Sequence, residues 1–174
     1  MAALRTMRQM STLVDACLES WNRQAKIVEN LANTIDEQRS AFVPAPGESS
    51  IAWHLSHIHE VRGYWLSALA PDFDPELTTL FDSGTYQWGK TLPLDEAKSA
   101  LSKSATQIHD LMSQRLNGDC APAGGYDHPL YFMQHMIWHE GWHVGAIMMA
   151  LRQNGQETTD AWEESNIWGL WRTE

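Results

Sequence analysis

Apolar residues recur at three- and four-residue spacing in four long stretches of this chain, each bounded by proline, glycine or a capping side chain. Nowhere does an alternating pattern persist, which leaves helices as the only regular element the sequence supports. The first stretch runs roughly from Met7 to Gln38, with Leu13, Cys17, Trp21, Ile27 or Val28, Leu31 and Ile35 in phase, and stops before the Pro44 to Gly47 turn. Ser49 or Ser50 then offers an N-cap for a second helix reaching about Leu69, ended by Ala70 and Pro71. A long aromatic connection follows from Asp72 to Pro93, with room for one short helix. A third helix begins after Pro93, with Asp95 and Glu96 favourable in its first turn, and ends at Asn117 and Gly118. Asp127 and Pro129 open a fourth, which closes at Asn154 and Gly155. The expected architecture is all-α: a four-helix bundle in a single domain over 1–174, with a long connection between helices 2 and 3.

Composition narrows what such a bundle can do. Apolar content of 43% and charged content of 20% suit an ordinary globular core. A net charge of −10 argues against sequence-independent binding to nucleic acid or to anionic membranes, both of which need basic surface. Cys17 and Cys120 are too few for a disulfide framework or a thiolate zinc site. There is no charged-then-apolar leader and no apolar run of spanning length, so a cytoplasmic location is expected. Nine tryptophans are many for this length; several lie near the histidines and others in the tail from Trp162 to Trp171.

The histidines carry the chemistry. His135, His139 and His143 stand four residues apart on the fourth helix, where each step drifts only about 40° around the axis. With His139 as origin, Phe132, Ala146 and Ala150 fall within about 20°, so the stripe runs along an apolar face. On the second helix, Val61, Tyr64 and Ala68 fall within about 40° of His57 and Trp53 at about −40°, while His54 stands about 60° away and can reach the same region. His59 points about 160° away and reads as a surface residue. His109 and His128 lack such company. Two imidazoles from one helix and one from another would make an open three-nitrogen metal site. A single histidine on an apolar face is more often a core residue bonded to a carbonyl. Several converging imidazoles favour metal, since each would otherwise need its own buried partner. Trp53, Trp65, Trp138 and Trp142 read as packing that would also dry the site.

Two other metal chemistries compete. His139, Glu140 and His143 match the His-Glu-x-x-His signature of zinc peptidases, in which the glutamate is general base and a third ligand follows; Glu163 or Glu164 stand at a plausible spacing. That reading leaves the earlier histidine cluster unexplained. A di-iron carboxylate bundle needs two Glu-x-x-His units, and only Glu140 with His143 supplies one.

Residues 50–65, with His57 ahead of Glu60, Arg62 and Trp65, resemble the second helix of the DinB/YfiT-like metalloenzymes. Residues 139–147, followed by Leu151, Arg152 and Gly155, resemble that family's closing helix, His-x-x-x-His-x-Gly-Gln with a Leu-Arg ending. One position departs: Ala146 stands where the family usually has glutamine. The resemblance implies a four-helix fold over nearly the whole chain and assigns the metal ligands to His57, His139 and His143. His54 and His135 are additions to the common pattern, suited to hydrogen-bonding or proton-transfer work around the ligands. Glu140 is a candidate base or acceptor, although it points about 100° from His139. The resemblance further implies one divalent metal ion (zinc, nickel, iron or cobalt), a small-molecule substrate and a low-molecular-weight thiol co-substrate such as mycothiol or bacillithiol. A homodimer is also implied, with the tryptophan-rich tail covering a neighbouring bundle or its own. A non-catalytic metal-binding module is the remaining alternative.

Overall fold

A computed structural model describes residues 12–70 and 90–172, and every described element is helical. The four long helices are α1 (Leu13–Asn33), α3 (Ile51–Leu69), α4 (Leu94–Asn117) and α5 (Pro129–Gln153). A single turn, α2 (Glu37–Ser40), and a short C-terminal helix, α6 (Asp160–Asn166), complete the set with a 3-10 turn at Trp168–Leu170. α1 and α3 each lie against both α4 and α5, closing a bundle around one axis. No helix among the described residues is long and apolar enough to cross a membrane. Most of the aromatic connection, residues 71–89, and the expected start of the first helix at Met7 lie outside the described residues.

Side chains fix where the helices start and stop. Thr12 and Asp15 form a reciprocal capping box at the start of α1, the threonine hydroxyl accepting from Asp15 N at 3.1 Å and Thr12 N donating to the carboxylate at 2.9 Å. That bond holds the Asp15 carboxyl below its usual value. Ser50 caps α3 by accepting from Trp53 N at 3.3 Å. His128, solitary in sequence, caps α5, its Nδ1 accepting from Leu130 N at 3.1 Å. The first helix does not run unbroken to Gln38. Asp36 accepts from Arg39 N at 2.8 Å and caps a new turn, while Thr34 and Arg39 take up freed carbonyls. Local side-chain bonds have outcompeted continuation of the helix.

The core is divided into two apolar halves. One gathers Ile27, Leu31, Ile51, Leu55, Ile58, Leu101, Ile147 and Leu151; the other Leu18, Trp21, Leu66, Ile108, Met112, Phe132 and Met136. Between these positions on the four helices lie Gln24, His59, Glu60, Arg62, Ser104, Glu140 and His143, all buried. His59 is 1% exposed, which corrects its expected surface position. The helical-wheel argument assumed that α3 has a solvated side opposite His57. In fact α3 is buried on nearly all sides, and the His57–Tyr64–Ala68 face is its more open one. The tail covers its own bundle: Ile167 is buried, Trp162 and Leu170 pack on the first core half, and Asn30 Nδ2 donates to Asn166 O at 3.2 Å.

Candidate metal centre

α3 supplies His57, and α5 supplies His139 and His143 from successive turns. One ligand atom from each of the three lies within 4.8 Å of the others. His139 Nε2 and His143 Nε2 are 3.1 Å apart. Two nitrogens bound tetrahedrally to one ion at about 2.0–2.1 Å stand roughly 3.3 Å apart, so the pair is already spaced for a shared ion. Ring centroids of His57 lie 5.5 Å from His139 and 5.0 Å from His143.

Electrostatics keep these rings in the form a metal requires. Burial lowers His57 to about 4, with repulsion from His139 and His54 adding to it. Burial and the nearby His135 and Arg62 lower His139 to about 4. His143, 2% exposed, is lowered to about 2 by burial and by the three neighbouring imidazoles. All three are therefore neutral near pH 7, with lone pairs available without a proton being displaced. A set of three neutral nitrogens converging at this spacing fits a borderline cation of the zinc, nickel, cobalt or iron(II) type.

The ligands are backed by named partners. Glu60 Oε2 lies 3.7 Å from His57 Nδ1, with the glutamate side chain 2% exposed. Burial pushes that carboxyl up to about 7. At 3.7 Å the contact is longer than a hydrogen bond, so Glu60 sets an acidic group beside the ring rather than gripping it. Glu60 was not singled out from sequence, although its three-residue spacing from His57 was the signal available. His54, expected to reach the site, does so: its Nδ1 is 2.8 Å from His143 Nδ1. If His143 gives Nε2 to a metal, its Nδ1 carries the proton and donates to His54. The proton of His54 then sits on Nε2, a buried atom with no hydrogen-bond partner among the described residues. His139 Nδ1 is buried and likewise without such a partner. Trp53 stacks on His57 at 4.5 Å and 10°, and Trp142 meets His143 edge-on at 4.8 Å.

Of the other expected site residues, Glu140 is drawn away from the cluster and His135 stands at its edge. Glu140 faces away from the triad and accepts both ends of the Arg62 guanidinium, from Nε at 2.7 Å and Nη2 at 2.8 Å. With 0% of its surface exposed, its carboxylate is fully engaged in that pair rather than available as a base. His135 is exposed, and its ring centroid lies 6.5 Å from that of His139. The tail glutamates are also committed: Glu163 accepts from Thr158 Oγ1 at 2.7 Å, and Glu164 pairs with Arg172. Neither belongs to the cluster able to hold an ion.

The model of the DinB superfamily matches residues 18–147, a span that includes all three histidines. No curated protein matches the chain in sequence. Helices α3 and α5 present the histidines as the resemblance of residues 50–65 and 139–147 implied, and the matched span covers about three quarters of the chain. Sequence, helical fold and histidine cluster thus agree, and the chain belongs to the DinB superfamily.

Proposed function

We propose that His57, His139 and His143 bind one divalent metal ion, and that the centre activates a low-molecular-weight thiol, or water, for attack on a small electrophilic substrate. The observation that carries this reading is the convergence of three neutral imidazoles with no carboxylate ligand among them. When bound, a cation held by three protein ligands supplies a Lewis acid with an open position, at which a thiol or water ionises near neutral pH. The chain's own residues do the rest. His54 holds the Nδ1 proton of His143, so that ring presents Nε2. Glu60 places an acidic group beside Nδ1 of His57, 3.7 Å away. Trp53 and Trp142 restrict water beside the rings and keep the local dielectric low, which strengthens each of these contacts.

The peptidase reading loses support because Glu140, its required base, is bound by Arg62 in the core. Homodimerisation draws support from α5, whose exposed Tyr131, Trp138, Trp142 and Met149 fall within about 20° of one line along the helix. Elemental analysis of the protein purified without chelator tests the metal, and one ion per chain is expected. Screening thiols against alkylating and halogenated electrophiles tests the chemistry. Metal-linked stability without turnover would make the centre structural. Absence of metal, with no thermal shift on adding zinc or nickel, would overturn the reading.

A further inference from the structure

A second polar pair stands beside the triad, and a dedicated turn places it there. Gly124 and Gly125 have φ of +57° and +84°, and Ala123 and Tyr126 exchange both backbone hydrogen bonds, at 3.1 and 2.9 Å. Two consecutive positive φ values inside a two-residue hairpin are the signature of a type I′ turn, which glycine adopts without strain. A Cβ at Gly124 would stand 2.9 Å from Leu69 Cδ2, so the turn is also pressed onto the end of α3. The turn lays the Tyr126 ring edge-on to Trp65 at 5.0 Å and to Phe132 at 5.5 Å. Its hydroxyl arrives 2.5 Å from Nδ1 of His135. His135 in turn is the exposed neighbour of the ligand His139, one helical turn away on α5.

A tyrosine hydroxyl can either donate to Nδ1 or accept from it, and donation selects one tautomer of His135. Nδ1 of His135 is the one partner of the Tyr126 hydroxyl among the described residues. With the phenol donating to Nδ1, the proton of neutral His135 sits on Nε2. Burial raises the Tyr126 phenol above its ordinary value, which keeps it a donor throughout the neutral range. The outcome is an N–H donor on an exposed imidazole, one helical turn from the ligand His139. Among the described residues, neither core packing nor helix capping uses that donor.

We propose that His135, oriented by Tyr126, donates a hydrogen bond from Nε2 to a carboxylate or carbonyl oxygen of the molecule held at the histidine centre. His135 would touch the ligand, and Tyr126 is a positioning residue. The inference rests on the metal-centre reading above and adds the class of ligand: one whose metal-binding atom is followed, within a few bonds, by an oxygen acceptor.

The test uses full-length protein loaded with cobalt(II), whose visible spectrum reports both occupancy and thiol coordination. Mercaptoacetate and ethanethiol are the probes, sharing a thiol anchor but differing in the carboxylate. His135→Ala should weaken mercaptoacetate by about 10–100-fold, the usual range for a hydrogen bond to a charged group, and leave ethanethiol within twofold. Tyr126→Phe, which keeps the ring packing, should weaken mercaptoacetate by about twofold, because an even mixture of tautomers halves the competent population. His135→Gln, whose amide donates without any tautomer, should retain much of the binding and become insensitive to Tyr126→Phe. Equal losses for both thiols, or no loss for mercaptoacetate in His135→Ala, would overturn the proposal. Nitrogen-15 NMR of the metal-free protein decides the tautomer separately: Nε2–H in the parent, mixed in Tyr126→Phe. An Nδ1–H tautomer in the parent would refute it whatever the cobalt result. Failure of the parent to bind cobalt would remove the metal-centre reading and this one with it.

Discussion

Replacing Glu140 should unfold the protein more readily and leave its metal site intact. The Glu140 and Arg62 side chains are 0% and 1% exposed. The guanidinium donates twice to the carboxylate, once to Leu101 O at 2.7 Å and once to Ser104 Oγ at 3.3 Å, and lies 5.1 Å over the Trp21 ring. In Glu140→Ala the cation keeps two neutral acceptors and one aromatic face, but loses its counter-charge while itself buried. Breaking a buried pair from one side costs about 3–5 kcal/mol. For a chain of this size each kcal/mol moves the midpoint by roughly 2–4 °C, so the expected drop is about 6–20 °C. Calorimetry of the metal-free protein measures it directly. The double change Arg62→Met with Glu140→Leu removes both charges and should recover most of the loss, because paired apolar replacement is often neutral. Metal affinity, followed by competition with a chromogenic chelator, should stay within a few-fold in Glu140→Gln. A Glu140→Gln protein with an unchanged midpoint but no turnover would refute this account and return Glu140 to a catalytic role.

Other expectations follow from the same geometry. His57→Ala and His143→Ala should each lower metal affinity by orders of magnitude, whereas His59→Ala, deep in α3, should cost about 1–3 kcal/mol of stability with affinity changed little. Glu163→Gln combined with Glu164→Gln should leave metal content unchanged by elemental analysis, since both groups are engaged within the tail. Metal-free stability should fall on acidification below about pH 6.5. His57, His139 and His143 have folded values of about 4, 4 and 2, below the unfolded value of 6.5, so the unfolded chain takes up more protons as pH falls. Glu60, raised to about 7, acts in the opposite sense between about pH 4.5 and 7, but it is one group against three. Denaturant titrations at pH 8, 6 and 5 should therefore give a declining series, and a flat or rising one would contradict the buried, neutral state of the triad.

Much of this architecture could be read from residue spacing. The helix boundaries at Ser50, Pro93 and Asn154 follow from local capping and punctuation, which depend on a few neighbouring residues. The stripe on α5 was legible because four-residue spacing is nearly in phase with the helix. The facing of α3 was not. A helix buried on most sides carries no amphipathic signal, so His59 was misplaced while His57 was assigned by family resemblance. Arg62 and Tyr126 were missed for a different reason. Each acquires its meaning from a residue brought up by the fold: Glu140 lies 78 positions from Arg62, and Tyr126 depends on a turn resting against Leu69. Glu140 was left between base and acceptor because its motif is local and its partner is not.

The buried polar belt between the two apolar halves has a consequence for alignment along the bundle axis. Apolar halves built from Leu, Ile and Met tolerate sliding, since one aliphatic contact resembles the next. Arg62 does not, because α3 bears it, α5 bears Glu140, and α4 offers Leu101 O and Ser104. A slip of α3 by one turn, about 5.4 Å, would thrust the guanidinium into one of the apolar halves with nothing to receive it. The belt thus acts as a detent, admitting a single vertical setting of α3 against α5. Because His57 rides on α3 while His139 and His143 ride on α5, that setting also fixes the height at which the three imidazoles meet.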